Sequence, residues 1–130
     1  MMQETKIELR PIGFVRNVGE KEKDRFGNWK KVVSELVIDK EYQEALKGLE
    51  DYSHLIVVFW LDKVNACALR HVPQGKVGQV PEVGIFACRC PQRPNPVGLS
   101  TVKILSVKDY LINIEGLDAL DETPIIDIKP

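Results

Sequence analysis

A chain of 130 residues, 44% apolar and 28% charged, fits one domain (1–130) whose core buries roughly two-thirds of the unfolded surface. No apolar run approaches the ~18 residues of a membrane helix, and "MMQETKIELR" lacks the apolar segment of a secretory signal, so a cytoplasmic protein with no membrane partner is expected. With a net charge of −1, binding of nucleic acid would need a local basic patch rather than an overall positive field.

In chain order, "IELRPIGFVR" (7–16) reads as an edge or bulged strand, because Pro11 cannot donate to a ladder. Residues 17–30 are charged, aperiodic and loop-like, and "KVVSELVI" (31–38) is a β-branched strand. In "DKEYQEALKGLE", Tyr42, Ala45, Leu46 and Leu49 recur at helical spacing. Asp39 is the candidate N-cap and Gly48 the stop, which predicts one short amphipathic helix over 40–47. "SHLIVVFWL" (53–61) is a near-continuous apolar run and predicts a strand buried on both faces. Residues 62–80 form a long polar connection, and such connections are often functional.

"VGIFAC" (83–88) is expected to be another strand, and "PQRPNP" (91–96) to lack regular structure. Segments 97–108 and 111–117 predict a hairpin about Asp109-Tyr110, and 123–130 a final extended segment. The sum is a mainly β, single compact barrel-like domain with one short helix.

The stretch "CRCPQRPNPVGLS" (88–100) is the densest in chemistry. A structural zinc site takes about four ligands, usually in paired C-x₂₋₄-C or C/H sets. C-x-C with unpatterned Cys67, His54 and His71 does not match, so no metal is expected. Cys88 and Cys90, on one face of a strand, read as small apolar side chains that do not easily pair with each other. No spacing supports a cysteine nucleophile either. The prolines fix φ near −65° and stiffen the loop before any ligand arrives, so Arg93 and Asn95 are held with little entropy left to lose. On the residues alone, a binding loop and a rigid connector both remain open. The acidic residues Glu115, Asp118, Asp121, Glu122 and Asp127 read as a solvated face, and His54 as a strand-end histidine.

Four segments, "IGFVRN" (12–17), "GLEDYSHLIVVFW" (48–60), "GIFACRCPQRPNPVGLS" (84–100) and "GLDALDETPIIDIKP" (116–130), together resemble the TsaA-like (TrmO) family. Its members are S-adenosylmethionine-dependent methyltransferases acting on N6 of threonylcarbamoyladenosine at tRNA position 37. The resemblance implies a β-barrel homodimer with S-adenosyl-L-methionine as methyl donor, tRNA and not DNA as partner, and donor sites near the subunit interface. It places Arg89, Leu99, Gly116, Leu117, Asp118, Asp62 and Lys63 at donor-proximal positions. Arg93 and Asn95 match motif residues and are the catalytic candidates; Asn95, held between two prolines, would accept a hydrogen bond from the target amine. Arg70, His71 and Lys76 would form the local RNA patch. The chain departs from the family pattern at Asp62, where relatives carry His, at Cys90 (Ser or Thr), and at Glu122 (Gly). The alternatives are a donor-binding module without methyl transfer, or a methyltransferase for another RNA or small substrate.

Overall fold

The computed structural model describes residues 5–17, 31–73 and 78–130. Strands β1 (Gly13–Asn17), β2 (Val33–Ile38), β3 (His54–Trp60), β6 (Val97–Lys108), β7 (Leu111–Glu115) and β8 (Pro124–Lys129) close an antiparallel barrel in the order β1-β2-β7-β6-β3-β8. A two-stranded ribbon, β4 (Arg70–His71) with β5 (Val83–Gly84), lies outside it. Mainly β architecture, a closed barrel and a single small domain agree with the expectation from sequence.

The barrel closes because each strand alternates. In β2, Ser34, Leu36 and Ile38 are buried while the residues between them are half-exposed. Val15, Leu36, Leu55, Val57, Val102, Ile112, Ile114 and Ile125 fill the interior, each at most 1% exposed. A six-stranded barrel is too narrow for a lumen, so side chains pack it solid. Of the two buried hydroxyls among the described residues, Ser34 Oγ donates to Asn17 Oδ1 at 3.0 Å and Thr123 Oγ1 to the Leu120 carbonyl at 2.7 Å, which removes the cost of unpaired polar groups.

Five expectations need correction. Residues 7–12 are not strand; β1 begins at Gly13, and Ile12 is tied down by donating its amide to the Ile125 carbonyl and accepting from the Asp39 amide, each at 2.8 Å. The helix is a 3₁₀ segment, Lys40–Leu46, and the Asp39 side chain does not cap it. Only Leu46 of that segment is buried, too little apolar burial to hold a full α-helix. The predicted stop at Gly48 is correct, with φ at +92°.

Strand β3 is buried on one face only. Leu55, Val57 and Phe59 point inward, whereas Ile56, Val58 and Trp60 lie half-buried outside. Segment 83–88 is strand only at Val83–Gly84. Ile85–Ala87 then turn as a 3₁₀ segment that drives Ile85 into the interior at 2% exposed.

Finally, the Cys88 and Cys90 sulfurs are bonded to each other. Their Cα atoms are 5.4 Å apart, closer than the ~6.6 Å of alternate residues in a full strand. The tighter spacing sits well inside the range in which disulfides form.

Candidate functional site

Three peripheral segments meet beside the β3–β6 end of the barrel. The chain leaving β3 turns at Leu61 and Asp62, and the Leu61 amide donates to the Pro96 carbonyl at 2.7 Å. The end of the proline loop is therefore held against the chain that leaves β3. The Ala68 amide donates to the Gln92 carbonyl at 3.0 Å, pinning the loop's middle to the 62–69 segment. Within the loop the amides of Arg93 and Val97 donate to the carbonyls of Pro91 and Asn95, each at 2.7 Å. Two of the backbone donors that the prolines leave are thus used within the loop.

Arg93 braces this loop from within. Its Nη1 donates to the Cys88 carbonyl at 2.6 Å and the Cys90 carbonyl at 3.3 Å, and its guanidinium lies 5.9 Å from the centre of the Phe86 ring. The two carbonyls flank Arg89, so Arg93 fixes the backbone from which the exposed Arg89 side chain projects. A substrate contact by Arg93 would have to use its remaining donors. Asn95 is exposed at the loop's turn.

After β7 the chain turns at Gly116, whose φ of +101° lies where only glycine is at ease. Leu117 is then driven fully into the core and Asp118 faces outward. Ser100 Oγ donates to Asp118 Oδ1 at 3.0 Å, orienting the carboxylate.

A cleft of about 270 Å³ opens between these segments. Leu61, Asp62, Lys63, Val64, Pro91, Asp118, Ala119, Leu120 and Thr123 line it. It combines apolar walls with one cation and two carboxylates, a composition suited to a polar, charged small molecule with an apolar body.

The structure therefore brings Asp62, Lys63 and Asp118 together around one cleft. Leu117 reaches no ligand through its side chain, because it is core. Leu99 lies on the outer face of β6, 51% exposed, and Arg89, Leu99 and Gly116 are outside the cleft's lining. Of the RNA candidates, Arg70 is exposed and loosely paired with Glu82 at 3.8 Å. His71 is half-buried, with Nδ1 2.6 Å from the Val72 carbonyl. Its ring lies by the two cysteines, the three ligand atoms all within 4.8 Å of one another. His71 thus lies beside the two cysteines in space although its spacing from them in the sequence follows no metal-site pattern. Lys76 lies outside the described residues.

Reading by sequence missed Ser100, which sits 18 residues from the carboxylate it holds. It also missed Gln92, whose buried Oε1 has no hydrogen-bond partner among the described residues; buried acceptors of that kind call for a ligand or water. The proline pattern around Gln92 was the available signal.

A model of the tRNA-methyltransferase O N-terminal domain matches residues 24–130. The chain belongs to that family. An S-adenosyl-L-methionine-binding protein of Archaeoglobus fulgidus is 42% identical over 123 residues, covering 93% of this chain and 86% of its own. A tRNA (adenine(37)-N6)-methyltransferase of Mus musculus is 33% identical over 88 residues, which is 68% of this chain but 20% of that one. The crystal structure of TrmO from Pseudomonas aeruginosa superposes with a TM-score of 0.73 at 26% identity, covering 97% of this chain and 56% of that chain. The chain thus spans a little over half the length of the solved structures it matches.

Proposed function

We propose that this chain is an S-adenosylmethionine-dependent methyltransferase acting on N6 of adenosine 37 in tRNA, with the threonylcarbamoyl form of that adenosine as its substrate. Family membership supports the reaction class. The observation that carries the assignment to a place is the cleft uniting Asp62, Lys63 and Asp118 with Pro91 of the braced loop.

The donor supplies the driving force through its sulfonium, whose S–CH₃ bond breaks as the N–CH₃ bond forms; the thioether product leaves and N6 releases its one proton to solvent. The protein's part is alignment and proton handling. Asp118, held by Ser100, accepts from the donor's ribose hydroxyls. Lys63 or Arg89 holds the donor carboxylate. N6 of threonylcarbamoyladenosine is a ureido nitrogen and a weak nucleophile, because its lone pair is delocalised into both the adenine ring and the carbamoyl carbonyl. Asn95, on a loop stiffened by prolines, accepts from its N–H and holds the lone pair toward the methyl group. Arg70 contributes to a local positive surface for the RNA backbone.

A homodimer fits this reading. A second apolar groove of about 260 Å³ is lined by Ile7, Leu9, Pro11, Trp60, Pro124 and Ile126. Ile7 is 81% exposed there, and a second copy of the chain is the natural cover.

The test combines calorimetry with S-adenosylmethionine and mass analysis of nucleosides from tRNA incubated with protein and donor. One donor per chain and a mass gain of one methyl on threonylcarbamoyladenosine are expected. Absence of heat at millimolar donor would sink the cofactor assignment. Donor binding without transfer favours the second reading, a donor-binding module, the property named for the Archaeoglobus fulgidus relative.

A further inference from the structure

We propose that Cys88, Cys90 and His71 form a binding site for a thiolate-preferring metal ion, Zn²⁺ by donor set, when the two cysteines are reduced. Their ligand atoms lie within 4.8 Å of one another, with Cys90 buried and the other two half-buried. Three elements deliver them. The β4–β5 ribbon carries His71 opposite Val83. The 3₁₀ segment Ile85–Ala87 reverses the chain next to it, and Arg93 clamps the Cys88 and Cys90 carbonyls.

A disulfide accounts for only two of these groups. The third is a histidine already prepared as a ligand. The Val72 carbonyl can only accept, so the Nδ1 atom 2.6 Å away carries the proton. That tautomer leaves the Nε2 lone pair available, and a backbone carbonyl behind Nδ1 is the usual second partner of a metal-bound imidazole.

Zn–S bonds of about 2.3 Å in tetrahedral geometry set the sulfurs about 3.8 Å apart. The Cα separation of 5.4 Å permits either that spacing or the bond. Metal and disulfide are therefore alternatives for the same two sulfurs. A dithiol reductant gives two electrons and two protons to the bridge and becomes a disulfide itself. Zn²⁺ then replaces the two thiol protons, which leave to solvent. Two thiolates and one neutral imidazole balance the ion's charge and leave a fourth position for water or a small ligand. The site stands whether or not the neighbouring cleft binds a methyl donor.

The full chain, reduced with a phosphine under anaerobic conditions, is titrated with Zn²⁺ against a chromophoric chelator, and in parallel with Co²⁺. The expected result is one ion per chain, cobalt–thiolate charge-transfer absorption in the near-ultraviolet, and no binding by the oxidised chain. His71→Ala, at a half-buried ribbon position that should not endanger folding, is expected to weaken Zn²⁺ at least tenfold and shift the cobalt d–d bands. His71→Cys should restore tight binding. Cys67→Ser, which alters the exposed free cysteine, should change nothing. The proposal is overturned if the reduced chain yields all Zn²⁺ to the chelator as fast as the oxidised one. It is equally overturned if His71→Ala leaves affinity and cobalt spectrum unchanged, or if Cys67→Ser abolishes binding.

Discussion

Gly98 is where the barrel and the candidate site share one packing constraint. It pairs with Phe59 across β3 and β6, and the Phe59 ring lies over it at 3% exposed. A Cβ at residue 98 would sit 2.6 Å from Phe59 Cζ and closer still to Cε2, against an ordinary carbon separation of about 3.5–4.0 Å. The ring would have to retreat by about 1 Å into a filled interior, and overpacking of that kind costs about 1–3 kcal/mol. For 130 residues the unfolding entropy is about 0.27 kcal/mol/K, so Gly98→Ala should lower Tm by roughly 4–11 °C. Phe59→Leu alone costs about 1–2 kcal/mol through lost burial. In the double variant the smaller side chain makes room, so the two losses should fall short of additive by at least about 1 kcal/mol. Thermal unfolding followed by circular dichroism measures all three variants. If Gly98→Ala melts within 2 °C of the wild type, or if the losses simply add, the ring does not lie over this glycine and the reasoning is wrong.

Asp118→Asn should weaken S-adenosylmethionine about 10–100-fold in calorimetry, as loss of a charge-assisted hydrogen bond does, with Tm unchanged; an unaltered Kd removes Asp118 from the donor site. Ser100→Ala should give a smaller loss of donor affinity in the same direction, because it frees the carboxylate without removing it. Arg93→Ala removes the donations to the Cys88 and Cys90 carbonyls and should cost about 1–3 kcal/mol in chemical denaturation, with Arg93→Lys recovering part. Full stability in Arg93→Ala would show that the prolines alone hold the loop. Glu122 sits at φ +68°, a region costing about 1–2 kcal/mol for a residue with a Cβ. Glu122→Gly should therefore raise the denaturation midpoint by the equivalent of up to about 1 kcal/mol, after the larger unfolded-state entropy of glycine is subtracted; a lower midpoint would reveal an offsetting contact of the glutamate.

The elements legible in the sequence are those whose side-chain period carries the information. Strand β2 alternates without a break. The β6–β7 hairpin turns at Asp109-Tyr110, as expected, with Asp109 taking the left-handed region at φ +56°. Strand β3 is the contrary case: both faces are apolar, but the chain encloses only one. An apolar run reports what could be buried, not what is: Trp60 stays half-buried, in the groove with Ile7 and Leu9. Segment 85–87 was misread because Ile-Phe-Ala suits a strand as well as a 3₁₀ turn. What decides between them is the insertion of Ile85 into the core, a tertiary event without a local signature.

The site divides along the same line. Motif resemblance singled out Asp62, Lys63 and Asp118, and all three line one cleft. The interactions that hold the site are different in kind. Arg93 grips two backbone carbonyls, the Leu61 amide meets the Pro96 carbonyl, and His71 is set by the carbonyl of Val72. Backbone acceptors are present at every residue, so their use leaves no trace in residue identity. The cysteines show the consequence most sharply. C-x-C with a histidine seventeen residues earlier is too irregular a spacing to mark a metal site. Once the β4–β5 ribbon folds back on the 3₁₀ turn, the three side chains share one point in space. That convergence in space, and not the spacing in sequence, is what the metal proposal rests on.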